Sequence, residues 1–582
     1  MTHATDAGLR RPPLRVGVLL GSTRQPRWVH ALLAAIEASP FSTIALVVVH
    51  EPSRPDGRGR WEGDIGEWLA RVARRRRHWL YALYRRVDEA LFRLRPDPFE
   101  LASIEPMVPC CPVLRVASCE TEQGDLLPPD AIDAILHHEL DVALQFGRRL
   151  RGRALLTARY GIWSCEAGGA GARHRDTTGF WEMMEGRPVT AATLRQLRPE
   201  PHEDRVIALS FTRTDKRSAS GNQFYCYQRG AALVVRTLRD VYEHGPEALA
   251  TIPSPPPDPA ALPGATGARA APTNAEMLVS IARKGRCAVR SRLERAGSFA
   301  QWFIAYRFDD AAGPPRDAPP FVGDGFRPIV PPSDRFWADP FPVTWGDRHV
   351  IFVEQYMYQE RKAHIAALEL GRDGAWTAPV PVLERPYHLS YPFVFQWRDA
   401  YFMCPEARES GAVELYRATS FPYEWTREAI LLSNVRAVDP TLIESDGRWW
   451  MFANIGEEGV SDPSCWDDEL HLFHAPGPLG PWTPHRRNPV KADLRSSRPA
   501  GRLFRLHGQL YRPAQNCTER YGSAITINRI VRMDLDDYAE VAVSEIPPRW
   551  AAGLLRTHTI NAVPGLTVID GQRMQRKHIR MQ

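Results

Sequence analysis

A repeated pattern in the second half of the chain constrains the fold more than any other feature of the sequence. Four segments each combine a polar residue beside a proline, an apolar strand, a tight turn and a second apolar strand: FWADPFPVTWGDRHVIFVEQ (336–355), YPFVFQWRDAYFMCPEA (391–407), VDPTLIESDGRWWMFAN (438–454) and SRPAGRLFRLHGQLYRP (497–513). Their spacing of about 50 to 60 residues suits the four-stranded blade of a β-propeller. A further unit, HTINAVPGLTVIDGQR (558–573), predicts five blades within residues 301–582.

The first residues of these repeats are the candidate site. In a propeller the innermost strand of each blade begins near the central axis, so the starting residues are predicted to meet at one mouth: Asp339, Tyr391, Asp439, Arg498 and His558. Trp337, Tyr391 and Tyr521 are candidates to stack on sugar rings, and His558 to bind water or an ion. Aromatic residues in a propeller also serve as core, and an Asp before Pro also caps turns.

The first 250 residues have a different period. Leu14 to Leu20 is an apolar strand, Trp28 to Ala38 has helical spacing, and Ile44 to Val49 is a second strand. Asp141 to Gly147 adds another buried strand after a helix. Strands alternating with helices predict a parallel sheet covered by helices, so residues 1–250 are assigned to an α/β domain.

The segment between these two regions is predicted to be a connection. Residues 252–272 (IPSPPPDPAALPGATGARAAP) are rich in Pro, Ala and Gly and cannot fill a core. Thr273 and Glu276 have the spacing of a capping box, which starts a helix to about Ala296. Residues 251–300 are therefore assigned to a Pro/Ala-rich linker and helix.

Residues 69–94 (LARVARRRRHWLYALYRRVDEALFRL) form a predicted basic amphipathic helix. Such a helix contacts an anionic membrane surface or holds a diphosphate. The alternative is a solvated helix that packs its apolar face on its own domain.

Charge and cysteine usage limit the partners and the compartment. The net charge of +6 is small for 582 residues, and five lysines against a large excess of arginine give no reason to expect a nucleic-acid partner. The nine cysteines are scattered without a CxxC pair, so neither a disulfide framework nor a metal site is predicted. No stretch approaches a membrane span. We expect a cytoplasmic protein that at most lies peripheral to the inner membrane.

The second half also resembles known families. The ADP and VDP starts and the blade lengths are similar to arabinanase-like and invertase-like glycoside hydrolases, and SRPAGRLFRLHGQLYRPAQNC with the following YG resembles the N-terminal region of plant glucosamine inositolphosphorylceramide transferases and their bacterial relatives. The hydrolase resemblance implies carboxylate roles for Asp339 and Asp439 and requires an acid, for which Glu406 and Glu354 are the candidates. Arg498, with Arg520 near it in sequence, instead suits a phosphate or sugar diphosphate.

Residues 160–194 (YGIWSCEAGGAGARHRDTTGFWEMMEGRPVTAATL) resemble the centre of a formyltransferase domain. That resemblance implies a site with a reduced folate as formyl donor, with Ser164 and Glu166 at the positions of the family's Asn and His and Asp204 near the acidic position. Glu166 is a poor substitute for a neutral imidazole, and His174 is the histidine near enough in sequence to compensate. We therefore expect a degenerate domain that binds without formylating.

Three hypotheses follow from these residues. The first is a carbohydrate-active protein of bacterial surface polysaccharide or glycolipid biosynthesis, in which the propeller acts on a sugar, nucleotide-sugar or glycolipid substrate by transfer or hydrolysis. The second is a carbohydrate-binding scaffold with a catalytically dead formyltransferase domain. The third is an amino-sugar formyltransferase.

Overall fold

The chain consists of two compact units, Met1–Gly285 and Arg286–Gln582. A computed structural model describes residues 11–52, 76–92, 96–109, 111–121, 124–167, 177–200, 203–250, 270–309, 325–456 and 468–576. The division at residue 285 lies inside the segment 251–300 that the sequence assigns to a linker and helix. Each unit has its own hydrophobic core and is described separately below.

The N-terminal unit is built on a nine-stranded mixed sheet with a parallel centre, as the sequence predicts. Across the sheet the strands are Arg205–Arg213, Val189–Gln196, Ile162–Ala167, Val142–Phe146, Leu14–Leu20, Ser42–Pro52, Val113–Thr121, Gly124–Leu126 and Leu150–Arg151. The third to seventh of these strands pair in parallel, and Val189–Gln196 is antiparallel to both of its neighbours. A separate two-stranded sheet joins Arg24–Pro26 to Leu101–Ser103.

Helices cover both faces of this sheet. Alternate residues of Leu14–Leu20 point to opposite sides, so Val18 packs into one hydrophobic cluster and Leu19 into another. The helices of the described residues are Arg27–Glu37, Trp79–Leu91, Pro129–Leu136, Phe180–Glu185, Ala219–His244, Glu247–Ala250 and Asn274–Ala296, with 3-10 turns at Glu105–Met107, Gly152–Leu156 and Arg408–Ser410. Among the described residues, no helix has the length and apolar character to cross a membrane.

The helix that leaves the N-terminal unit begins at the predicted capping box. Thr273 Oγ1 accepts a hydrogen bond from the Glu276 N–H at 3.3 Å, and Glu276 Oε2 accepts one from the Thr273 N–H at 2.7 Å. Each side chain satisfies a backbone N–H that has no partner within the helix. The prediction from these two residues is confirmed, while the linker residues 251–269 before them lie outside the described residues.

The C-terminal unit is a five-bladed β-propeller in the described residues, as the repeats predict. From the innermost strand outward, blade 1 is Arg335–Trp345, Arg348–Met357, Lys362–Leu370 and Val380–Leu383; blade 2 is Ser390–Trp397, Ala400–Glu406, Ala412–Ser420 and Glu424–Ser433; blade 3 is Ala437–Ser445, Arg448–Ile455, Glu469–Ala475 and Thr483–Pro484, with Lys491–Ala492 beside its third strand; blade 4 is Phe504–Leu506, Gln509–Asn516, Ala524–Met533 and Tyr538–Ile546.

Blade 5 combines the two ends of the propeller sequence. Its inner part is Ile560–Val563, Leu566–Arg576 and Leu554–Arg556, and its outer part is Ser298–Phe308 and Arg327–Ile329, which precede blade 1 in the chain. Ser298–Phe308 pairs antiparallel with Leu566–Arg576 over its full length. This ladder closes the propeller, so the strand starts of all five blades face one axis.

Candidate functional site

The innermost strands of blades 1, 2 and 3 share one backbone irregularity. In each strand one extra residue bulges out of the ladder to the second strand. The residue at each bulge precedes a proline and has a positive φ: 49° at Asp339, 46° at Tyr391 and 52° at Asp439. A non-glycine residue in this conformation costs on the order of 1–3 kcal/mol, which surrounding contacts must offset. Three such positions at equivalent places in the repeat direct attention to this mouth of the axis.

A second set of polar residues lies at the ends of the second strands. Each blade contributes one carboxylate or carboxamide opposite the start of its innermost strand, and each of the five side chains is buried: Glu354, Glu406, Asn454, Gln515 and Asp570. The repeats therefore place two layers of polar residues around the axis, one on the innermost strands and one on the second strands.

Two carboxylates of the second layer hold the bulge of the next blade. Asp570 of blade 5 accepts a hydrogen bond from the Asp339 N–H at 3.2 Å, and Glu406 of blade 2 accepts one from the Asp439 N–H at 3.4 Å. In blade 2 the bulged N–H of Tyr391 instead donates to the Asp339 side chain, at 3.2 Å. Glu354 is thus replaced by Asp339 in the structural role that its counterparts perform.

Glu354 contacts a histidine instead. His388 Nε2 lies 3.2 Å from Glu354 Oε1, and the Ala363 N–H donates to His388 Nδ1 at 3.3 Å, which favours the tautomer with the proton on Nε2. Burial raises the pKa of Glu354, and the nearby Asp339 carboxylate raises it further, although His388 opposes the shift. Burial lowers the pKa of His388, but Glu354 outweighs this effect and raises it. The Ala363 contact opposes a second proton on the ring, so we assign the shared proton to the Glu354–His388 pair.

Asp339 has the opposite electrostatic environment. Its carboxylate accepts a hydrogen bond from Thr559 Oγ1 at 2.5 Å and lies 3.2 Å from His558 Nε2, and the other ring nitrogen of His558 lies 2.8 Å from Asp570. Burial disfavours the charged imidazole, yet Asp570 and Asp339 together raise the pKa of His558 to about 10. Burial likewise opposes ionisation of Asp339, but the His558 cation and the two hydrogen bonds lower its pKa. Asp339 is therefore an ionised carboxylate beside a protonated histidine.

Asp439 is held by blade 4. Arg498 Nε donates to Asp439 Oδ2 at 2.6 Å, and the Gln515 amide donates to the same oxygen at 2.9 Å. Arg498 also lies 3.7 Å from Glu406 and 4.7 Å above the Tyr521 ring. Burial raises the pKa of Asp439 while Arg498 opposes the rise. Because both donors point at this carboxylate, it is less suited than Glu354 to give up a proton.

The predicted aromatic residues divide into core and site. Trp337 is buried, with its Nε1–H donating to Gln355, and the Tyr391 hydroxyl contacts Thr441 at 2.8 Å inside the propeller. Tyr521 and Trp302 instead flank His558, with ring centroids 5.1 and 4.3 Å away. Arg520 is exposed, and its backbone N–H donates to Ser523.

One cluster among the described residues brings three possible metal ligands together. Asp339, His558 and Asp570 each offer an atom within 4.8 Å of the others. Three backbone N–H groups, of Asp339, His558 and Thr559, already donate to Asp570, which places positive dipoles where a cation would need oxygen lone pairs. These residues fit a histidine cation held between two carboxylates.

In the N-terminal unit the residues predicted from the formyltransferase resemblance are separated from one another. Ser164 is buried on the strand Ile162–Ala167. Asp204 accepts two hydrogen bonds from the Arg149 guanidinium, at 2.5 and 2.7 Å, and a third from the Arg198 N–H. His174 and the Glu166 side chain lie outside the described residues. Asp204 therefore serves as an anchor for Arg149 and the loop before its own strand.

Other residues of both sites have no signal in the motifs. Gln515, Asp570 and Thr559 contact the starting residues through strand pairing, and His388 lies just before the second repeat. The propeller repeat predicts the second layer only once the ladder register is known, because the register fixes which residue faces the bulge.

The fold and its site define a five-bladed propeller with opposed buried carboxylates. Residues 314–549 match the family described as glucosamine inositolphosphorylceramide transferase 1, N-terminal. The curated relatives include glucosamine inositolphosphorylceramide transferase 1 from japonica rice, 36% identical over 213 residues, and the protein of the same name from Arabidopsis thaliana, 35% identical over 211 residues. Each match covers 36% of this chain and 28% or 27% of the relative, so the chain matches less than a third of the length of these relatives.

Solved structures with a similar arrangement include glycoside hydrolases. A thermostable family 43 enzyme aligns with a TM-score of 0.29 at 12% identity, over 36% of this chain and 76% of that one. A family 117 enzyme produced by the marine bacterium Zobellia galactanivorans aligns with a TM-score of 0.31 at 13% identity, over 48% of this chain and 90% of that one. We transfer no residue role from alignments of this quality.

Proposed function

We propose that the propeller acts on a glycosyl or sugar-phosphate substrate, with Glu354 as the protonated carboxyl and Asp339 as the ionised carboxylate. The observation that carries this proposal is the opposite direction of their pKa shifts: burial raises the pKa of Glu354, whereas His558 and Thr559 lower that of Asp339. Breaking or forming a glycosidic bond needs one carboxyl that gives a proton and one that stabilises positive charge at the sugar.

The matched relatives support a glycosyl substrate rather than another acidic chemistry. The family match at residues 314–549 includes Glu354, Asp439 and Arg498, and the relatives carry the name of a glucosamine transferase that acts on inositolphosphorylceramide. We propose a nucleotide-sugar or glycolipid as the partner of this site. Transfer from a phosphorylated donor is favoured over hydrolysis because Arg498, a guanidinium that grips phosphate well, lies among the acids.

The test is a turnover screen of the full chain against nucleotide sugars, with and without glycolipid acceptors. Wild type is run beside Glu354→Gln, Asp339→Asn and a control, Glu414→Gln. Glu414 is equally buried in blade 2, but it contacts Tyr387, Tyr416 and Arg427 away from the axis. We expect turnover by wild type and the control and none by the two site variants. Equal turnover by all four proteins would overturn the assignment.

A carbohydrate-binding scaffold is the second candidate function. It is favoured by one observation: Asp339 and Asp439 both accept hydrogen bonds from the protein itself, which suits a rigid binding surface as well as a reactive one. If wild type and the site variants bind a glycan without turning it over, the scaffold replaces the enzyme.

A further inference from the structure

The helix Trp79–Leu91 of the N-terminal unit is attached to its domain by a polar residue. Asp88 is buried and accepts hydrogen bonds from the Ser220 N–H at 2.8 Å and from Ser218 Oγ at 3.1 Å. Tyr81, on the same side of the helix, is buried against Phe180 with ring centroids 4.9 Å apart. These contacts fix which side of the helix faces the protein.

The opposite part of this helix leaves an apolar stripe exposed. The stripe consists of residues at every fourth position, with exposed fractions of 53%, 49%, 48% and 72%: Trp79, Leu83, Val87 and Leu91. A helix of a water-soluble domain ordinarily buries such a stripe and exposes its acids. Here a carboxylate is buried and the stripe is exposed, so the alternative in which the helix packs its apolar face on its own domain does not hold for Trp79–Leu91.

A second helix beside the stripe has the same character. The start of Asn274–Ala296 is joined to the first helix because Asn274 accepts a hydrogen bond from the Leu80 N–H at 3.1 Å and donates one to the Arg76 carbonyl at 2.7 Å. Met277 is buried in the cluster that also contains Tyr81. Three of its neighbours are exposed by 60%, 68% and 49%: Leu278, Val279 and Ile281. Both helices therefore use one side for packing and leave large apolar side chains on the other.

The charges around the stripe are basic. Arg76, Arg77 and Arg86 are exposed, whereas Glu89 is paired with Arg85 at 2.8 Å. Tryptophan and leucine on one side of a helix, with arginines flanking them, match the interface of an anionic lipid bilayer, where apolar side chains enter the acyl boundary and guanidinium groups meet phosphates.

We propose that this two-helix surface docks the protein on the face of an anionic membrane. The helices lie on the surface without crossing it, and docking is independent of the chemistry of the propeller. Apolar insertion and basic attraction act together, so neutral vesicles bind more weakly than anionic ones and added salt weakens binding.

The experiment is sedimentation of the full chain with vesicles of phosphatidylcholine alone or with about one-third phosphatidylserine. Wild type is compared with Leu83→Glu/Val87→Glu and with a matched control, Val541→Glu/Val543→Glu, whose residues are exposed by 43% and 46% on the outer strand of blade 4. We expect wild type and control to bind anionic vesicles and the stripe variant to lose at least roughly tenfold in affinity, since two carboxylates would enter the lipid boundary.

Absence of wild-type binding to anionic vesicles would overturn the proposal, as would equal binding by the stripe variant. Light scattering of the same proteins identifies the other possible occupant of the surface. If wild type is a dimer that the stripe variant disrupts, and vesicles bind neither protein, the surface is an interface between two copies and the proposal fails.

Discussion

Buried carboxylates in the two units of this protein have different surroundings, although the sequence singled out both. Asp204 in the N-terminal sheet is fully engaged by Arg149 and the Arg198 N–H, and its neighbours in the predicted site are not brought to it. In the propeller, Asp339 and Glu354 affect each other's ionisation, and Glu354 has a histidine as its polar neighbour. A buried acid suggests chemistry when a second acid shares its environment, and suggests structure when one arginine satisfies it.

The repeat explains why the propeller can keep such a pair. Two of its second-strand acids, Asp570 and Glu406, support the bulge of the next blade. In blade 1 that work is done by Asp339, so Glu354 is released from it. A symmetric scaffold with one substituted contact produces one carboxyl that differs from its counterparts.

The largest expected effect separates these counterparts. Glu354→Gln should lower turnover by roughly 100- to 10,000-fold, the usual contribution of a general acid. Glu406→Gln can still accept the Asp439 N–H and should lower turnover by less than about tenfold. The measurement is kcat for both variants on whichever substrate wild type converts. If Glu406→Gln causes the larger loss, the second-blade acid takes the role assigned to Glu354.

The repeat pattern is enough to predict the propeller and the convergence of its strand starts. An Xaa-Pro beginning in three successive repeats locates Asp339, Tyr391 and Asp439 at one level of the axis, and the structure brings Arg498 and His558 to them. It does not predict their partners. The contact from Asp339 to Asp570 joins residues 231 positions apart, and it depends on the ladder that closes blade 5.

The N-terminal unit shows the converse. Its parallel sheet follows from the strand and helix periods, and the structure confirms it. Its site residues were taken from motif spacing, which carries no information on partners. The ion pair of Asp204 with Arg149 links residues 55 positions apart, and nothing in either local segment indicates it.

The second prediction compares stability between the units. Asp570→Ala removes the acceptor for three backbone N–H groups and leaves the His558 cation with one carboxylate, so we expect the propeller to lose about 3–5 kcal/mol. Hydrogen exchange read peptide by peptide should show the loss in the blades and leave the N-terminal sheet unchanged. Asp204→Ala is the counterpart and should act on the N-terminal sheet alone. Loss of protection throughout the chain after either substitution would contradict this.

The third prediction concerns pH. The pKa of His558 rises from 6.5 unfolded to about 10 folded, so its contribution to stability is complete below pH 6.5 and is lost as pH rises through 10. Asp339 has a lowered pKa, so its contribution is present above its unfolded value of 3.8 and is lost at lower pH. Between pH 6.5 and 10 we expect the propeller to lose up to roughly 1.4 kcal/mol per pH unit relative to His558→Gln. Parallel unfolding curves for the two proteins across that range would exclude a charged His558.

The smallest expected effect tests the formyltransferase alternative directly. Because Arg149 holds Asp204 and Ser164 replaces the amide of the related families, we expect a reduced folate to leave the unfolding temperature of the N-terminal unit unchanged. A specific ligand at 100 times its dissociation constant would add about 2.7 kcal/mol, which thermal unfolding detects easily. A shift of that size in wild type, retained in Asp339→Asn and lost in Ser164→Ala, would restore a folate site to this unit. It would also show that a motif can keep its ligand after its acid has become part of the structure.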